Sequence, residues 1–250
     1  LKANNLKAKL KERGIRMTCQ SPIVVALDFP TPAQAIDMAK RLDPALCRVK
    51  VGKELFTKAG PAILDELHAL GFDIFLDLKF HDIPNTVANA VSVAAKAGVW
   101  MVNVHASGGR RMMEASANAL ANIQDHNTLL IAVTVLTSMD QTDLQEIGID
   151  LSPRDHVLRL ANLAKSSGMD GVVCSAQESQ MLSSELGKDF VLVTPGIRPI
   201  GSDQGDQKRI LTPAEAMVQG SHYLVMGRPI TQAADPIAVL MQTNKDLGVA

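Results

Sequence analysis

Aromatic side chains are scarce in this chain: they make up 3% of its 250 residues, with one tryptophan and one tyrosine. A core for a chain of this length must then be filled by Val, Leu, Ile, Ala and Met, and a hydrophobic content of 46% suffices for that. Cysteine is also rare. Cys19, Cys47 and Cys174 are far apart, odd in number, and form neither a CxxC pair nor a Cys/His zinc spacing. This excludes a disulfide scaffold and points to a reducing, cytoplasmic setting. No apolar run reaches membrane-spanning length, so no membrane role is expected. Net charge is -1 and the body carries no basic stripe, which disfavours nucleic acid as a partner. No Pro/Gly/Ser linker divides the chain. The first expected strand ends in Leu27-Asp28-Phe29-Pro30, where a doubly wound sheet would carry a GxGxxG turn.

Basic residues cluster at the start, at Lys2, Lys7, Lys9, Lys11, Arg13 and Arg16. No apolar stretch follows them, so they do not read as a secretory signal, and a basic presequence is a weaker alternative. Residues 1–20 are expected to be a non-catalytic N-terminal extension and residues 21–250 one catalytic domain.

One pattern recurs along the rest. An amphipathic stretch ends in Gly, a few residues follow, and a short apolar run begins. Gly71 precedes Ile74-Phe75-Leu76, Gly98 precedes Met101 to Val104, Gly168 precedes Gly171 to Cys174, and Gly220 precedes Tyr223 to Met226. Gly tolerates the left-handed conformation that closes a helix. The apolar runs read as strands buried on both faces, as in a parallel sheet. With further strands at Ile23 to Asp28, Arg48 to Val51, Leu129 to Val135 and Phe190 to Thr194, the spacing predicts a (β/α)8 TIM barrel of about eight strands.

The segment LDLKFHDIPNT, Leu76 to Thr86, departs from this apolar plan. Strand side chains point the same way every second residue, so Asp77 and Lys79 are expected on one face. A core strand has no use for a carboxylate and an ammonium unless they are paired. Barrel chemistry gathers at the C-terminal ends of strands, where Asp28 and Lys50 also fall. Any one of these residues is better explained as a structural salt bridge. Four at corresponding positions, with Asp82 close by, favour a catalytic cluster. Asp82 has a plainer reading as the N-cap of the helix that follows, and Thr86 in isolation is a first-turn residue.

A second group lies near the C-terminus. Thr194-Pro195-Gly196-Ile197-Arg198 ends strand seven and Gly227-Arg228 ends strand eight. Loops after those strands are the usual phosphate site of a barrel, and a Gly backbone beside an Arg fork suits that ligand. The polar segment Gly201 to Arg209 suits a lid. The histidines are scattered, and no three ligands stand at metal spacing, so no metal is expected.

Taken together, VVALDFP (Val24 to Pro30), RVKVGKELF (Arg48 to Phe56), FLDLKFHDIPNT (Phe75 to Thr86), VNVHASGG (Val102 to Gly109), TVLTS (Thr134 to Ser138), TPGIRP (Thr194 to Pro199) and MGRPIT (Met226 to Thr231) resemble the orotidine 5'-phosphate decarboxylases, the bacterial enzymes above all. The resemblance runs along nearly the whole chain from Ser21. It implies cofactor-independent decarboxylation of a small molecule, orotidine 5'-phosphate, to uridine 5'-phosphate and CO2. Lys50, Asp77, Lys79 and Asp82 would form the charged network. Asp28 and Lys50 would bind the ribose hydroxyls and Thr137 the pyrimidine. Arg198, Gln207, Gly227 and Arg228 would hold the phosphate and its lid. Asp82 and Thr86 would reach into a partner's site, making the active unit a homodimer. Asp77 would either repel the departing carboxylate or hold Lys79.

Three rivals remain. A Mg-dependent sugar-phosphate decarboxylase or aldolase shares the DxKxxD element and would lose activity to a chelator. A Schiff-base aldolase would be trapped by borohydride, though a lysine paired with carboxylates is a poor imine former. A non-catalytic nucleotide sensor would bind without consuming ligand, and gives no reason for Lys79 to sit among acids.

Overall fold

The computed structural model describes residues 19–199 and 211–249. Eight parallel strands close into a barrel in chain order: β1 (Ile23–Ala26), β2 (Arg48–Gly52), β3 (Ile74–Phe80), β4 (Met101–His105), β5 (Leu129–Val133), β6 (Gly171–Val173), β7 (Val191–Pro195) and β8 (Tyr223–Met226), with β8 pairing back to β1. Helices cross between successive strands, as parallel pairing requires. Five of them open on a proline, at Pro32, Pro84, Pro153, Pro213 and Pro236. Its missing N–H costs nothing at that position. Thr31, Ser152, Thr212 and Asp235 accept first-turn N–H bonds as caps. Gly98 and Gly168 lie at φ 78° and 83° just past helix ends, as their spacing predicted.

Alternation sorts the strand residues. Val24 and Ala26, Met101, Leu129 and Ile131, Val191 and Val193, and Tyr223 and Val225 pack inside the barrel. Ile23, Val25, Val49, Ile74, Leu130, Leu192 and Leu224 face outward onto the helices. On β2 the inward positions are Arg48 and Lys50, and they serve opposite ends. Arg48 is fully buried. Its guanidinium donates to the carbonyls of Ser21 (2.7 Å) and Cys19 (2.6 Å) and lies 4.3 Å from the Trp100 ring and 5.3 Å from that of Tyr223. It closes the N-terminal end of the barrel with the chain's one tryptophan and one tyrosine, leaving the other end to Lys50.

Several boundaries differ from the sequence expectation, three of them beside the C-terminal mouth. β1 stops at Ala26, so Asp28 stands in the following loop, and β5 stops at Val133. The helix after β3 runs Pro84–Lys96 with Ile83 as its N-cap. Asp82 precedes the cap and accepts a 2.6 Å bond from the Ile83 N–H. Pro84 at the first helical position sets the cap one residue later than Asp82.

Candidate active site

The C-terminal mouth carries a chain of alternating charges. Lys50 Nζ is 3.0 Å from Asp28 Oδ1 and 3.4 Å from Asp77 Oδ2, and Lys79 Nζ is 2.6 Å from Asp77 Oδ1. Register builds this line. Ala26 pairs with Lys50, and Gly52 pairs with Asp77. Gly52 leaves room for it: a Cβ there would stand 3.2 Å from Lys50 Nζ and 3.3 Å from Asp28 Oδ1. Asp28 is 63% exposed in its side chain and Asp77 13%, so the line runs from solvent into the barrel.

Asp77 and Lys79 do not meet through simple alternation. Pairing of β3 with β4 passes from Leu76↔Val102 to Phe80↔Val104, so Asp77, Leu78 and Lys79 stand opposite Asn103 alone. Lys79 sits at φ 52°, one of two non-glycine residues at positive φ among the described residues. Such a conformation costs roughly 1–3 kcal/mol and persists when its surroundings hold it. Asn103, fully buried, does the holding: its Nδ2 donates to Asp77 Oδ1 at 2.7 Å and its Oδ1 accepts from the Lys79 N–H at 2.8 Å. The sequence reading missed Asn103. A lone amide in the apolar run Met101 to Val104 was the available signal.

Burial pushes the Asp77 carboxyl up, but the ammoniums of Lys50 and Lys79 and the bonds from Lys79 and Asn103 outweigh it and hold the group below its ordinary 3.8. Its charge therefore contributes stability above the ordinary carboxylate range, which is lost as pH falls through the lowered value.

Two clefts share Lys50, Asp77, Pro195 and Val225. The larger, about 580 Å³, extends past Asp28 to Arg198, Gly227 and Arg228. The smaller, about 200 Å³, extends past Lys79 to Val135, Leu136 and Thr137. A ligand spanning both would meet cations at one end, the Asp28–Lys50 pair in the middle, and a largely apolar slot with one hydroxyl at the other. Arg198 is 7% exposed, and its Nε has no hydrogen-bond partner among the described residues. At Gly227 an added Cβ would make only ordinary contact, 3.7 Å from Ala26 Cβ, so the chain's own packing leaves that space open. Asp82 and Thr86 are exposed and line neither cleft. Gln207 and the Gly201 to Arg209 segment lie outside the described residues.

The model of the Orotidine 5'-phosphate decarboxylase / HUMPS family matches residues 21–242. The chain is 84% identical over 233 residues to the orotidine 5'-phosphate decarboxylase of Marinomonas sp. (strain MWYL1), covering 93% of this chain and 99% of that protein. It is 63% identical over 225 residues to the enzyme of the same name from Vibrio vulnificus (strain CMCP6), covering 90% and 97%. The crystal structure of orotidine 5'-phosphate decarboxylase from Lactobacillus acidophilus superposes with a TM-score of 0.80 at 40% identity, covering 90% of this chain and 98% of that one.

Proposed function

The chain belongs to the orotidine 5'-phosphate decarboxylase / HUMPS family, and from that membership we propose how its charged mouth works. The reaction is the decarboxylation of orotidine 5'-phosphate to uridine 5'-phosphate and CO2, the closing step of de novo pyrimidine nucleotide synthesis. The sugar-phosphate alternative is set aside, since relatives at 84% and 63% identity carry the decarboxylase name.

In our reading the phosphate lies against Arg198, Gly227 and Arg228, with Gln207 on its lid. The ribose hydroxyls meet Asp28 and Lys50, and the pyrimidine enters the slot beside Thr137. This places the C6 carboxylate near Asp77 and Lys79. The C6–carboxyl bond breaks, CO2 leaves, and the electron pair stays on C6 in an orbital poorly conjugated with the ring. The Lys79 ammonium stabilises that charge and gives C6 its proton, so the step balances without a cofactor. Asp77 holds Lys79. Both of its oxygens are engaged by Lys79, Lys50 and Asn103, which favours holding over repulsion as its main role. Contacts to the distant phosphate supply binding energy that is spent at the reacting centre.

The observation that carries this reading is the 2.6 Å Lys79–Asp77 pair at the junction of the two clefts. Loss of absorbance by orotidine 5'-phosphate, followed with and without excess EDTA, tests it. We expect full turnover with chelator present. Lys79→Ala is expected to abolish turnover while uridine 5'-phosphate binding stays measurable; near-normal turnover would remove Lys79 from its role.

Three further statements belong to the same proposal. The active unit is a homodimer in which Asp82 and Thr86 complete the partner's site; both are exposed and next to Ile83, an apolar side chain 67% exposed. The protein works in the cytoplasm, a setting in keeping with three free, buried cysteines. No helix among the described residues is long and apolar enough to cross a membrane. Residues 1–20 take no part in the chemistry, although the Cys19 carbonyl helps to hold Arg48.

A further inference from the structure

We propose that Asn103 is a positioning residue for the decarboxylation, a single buried amide that aligns both the carboxylate partner and the backbone of Lys79. The proposal rests on the role of Lys79 given above. Asn103 lies on β4 at the point where β3 bulges, and its side chain supplies the contacts that regular pairing would make. Its orientation follows from chemistry. An ionised carboxylate accepts only, so the bond to Asp77 Oδ1 must come from Nδ2; a peptide N–H donates only, so the Lys79 N–H must be met by Oδ1.

The consequence concerns Asp77, which is contested by two ammoniums, with Lys79 Nζ at 2.6 Å and Lys50 Nζ at 3.4 Å. Asn103 shares Oδ1 with Lys79 and so keeps the carboxylate turned to that side. Without the amide, Asp77 is free to rotate toward Lys50, and Lys79 loses the bond that holds its left-handed backbone. The Nζ atom would then leave its place in the smaller cleft. Asn103 has no bond to Asp28, Lys50, Arg198 or Arg228, so the groups assigned to ribose and phosphate keep their places.

The test compares Asn103→Ala with Asn103→Leu. The second roughly keeps the shape of the amide but removes both its donor to Asp77 and its acceptor for the Lys79 N–H. Both are expected to lower kcat by roughly 100-fold or more, the scale on which a displacement of about 1 Å acts. KM and the Kd of uridine 5'-phosphate should stay within about three-fold of the parent. A crystal structure of Asn103→Ala should show Asp77 turned toward Lys50, or Lys79 out of the left-handed region. A kcat within about three-fold of the parent overturns the proposal, as does an equal loss of kcat and nucleotide affinity in folded protein. If Asn103→Ala does not fold, Asn103→Leu decides. If the parent itself fails to consume orotidine 5'-phosphate, the reading of the reaction falls. Asn103 is then judged on the variant's structure alone, where an unmoved Asp77 and Lys79 overturn the proposal.

Discussion

The His105 imidazole ends β4 with His81 beside it, the ring centroids 5.6 Å apart. Burial pushes its pKa down, and the charges of His81, Lys53 and Lys79 push the same way against the weaker pull of Asp77, to about 4 from 6.5. An unfolded chain therefore takes up this proton before the folded one does. Stability is expected to fall as pH drops from 6.5 to 4, and to show no further loss from this group below that. Partial exposure of the ring keeps the effect modest. Urea midpoints measured across that window should fall less steeply in His105→Asn than in the parent; parallel slopes would contradict the assignment. Neither histidine stood out in the sequence, where the histidines are scattered and form no metal spacing. The reason His105 is unusual is spatial: its ring is partly buried, and the fold brings Lys79, His81 and Lys53 close to it. Lys79 was legible as a residue type but not in its conformation, since nothing in LDLKFHD announces a left-handed lysine.

At the scale of elements, the glycines of the barrel wall do different jobs. At Gly171 on β6 a Cβ would lie 2.1 Å from the Val191 carbonyl oxygen and 2.5 Å from its Cβ, so β6 and β7 approach too closely for any side chain. Gly171→Ala is expected to destabilise the protein by about 1–3 kcal/mol through overpacking, read as a lowered urea midpoint. An unchanged midpoint would mean that the strands can part without cost. The strands themselves could be read from the chain, because short apolar runs after glycine-ended helices admit few other structures. Their ends could not. The expected extension of β1 to Asp28 failed because an alternating pattern does not say where ladder bonds stop. The bulge of β3 escaped for a similar reason: it depends on what β4 places opposite, and Asn103 is 24 residues further on than Lys79.

Across the whole molecule the two ends of the barrel divide the work. At one, Arg48, Trp100 and Tyr223 close the interior; Trp100 and Tyr223 meet edge to face at 4.8 Å. At the other, the charged line and the two clefts open to solvent. If the active unit is a homodimer with shared sites, mixing Lys79→Ala and Asp82→Ala proteins should restore activity, because some sites of a mixed dimer regain a complete residue set. Verified mixed dimers without activity would argue against sharing. The fold class, the parallel order and the acids and lysines at strand ends were all legible in the amino-acid order, because hydrophobic periodicity and unpaired charge are local signals. The ion-pair distances, the opposite duties of Arg48 and Lys50, and the bond from Asn103 to both Asp77 and Lys79 came from the closed barrel alone. They depend on which residues neighbouring strands bring level, and register is a property of the assembled sheet rather than of any one segment.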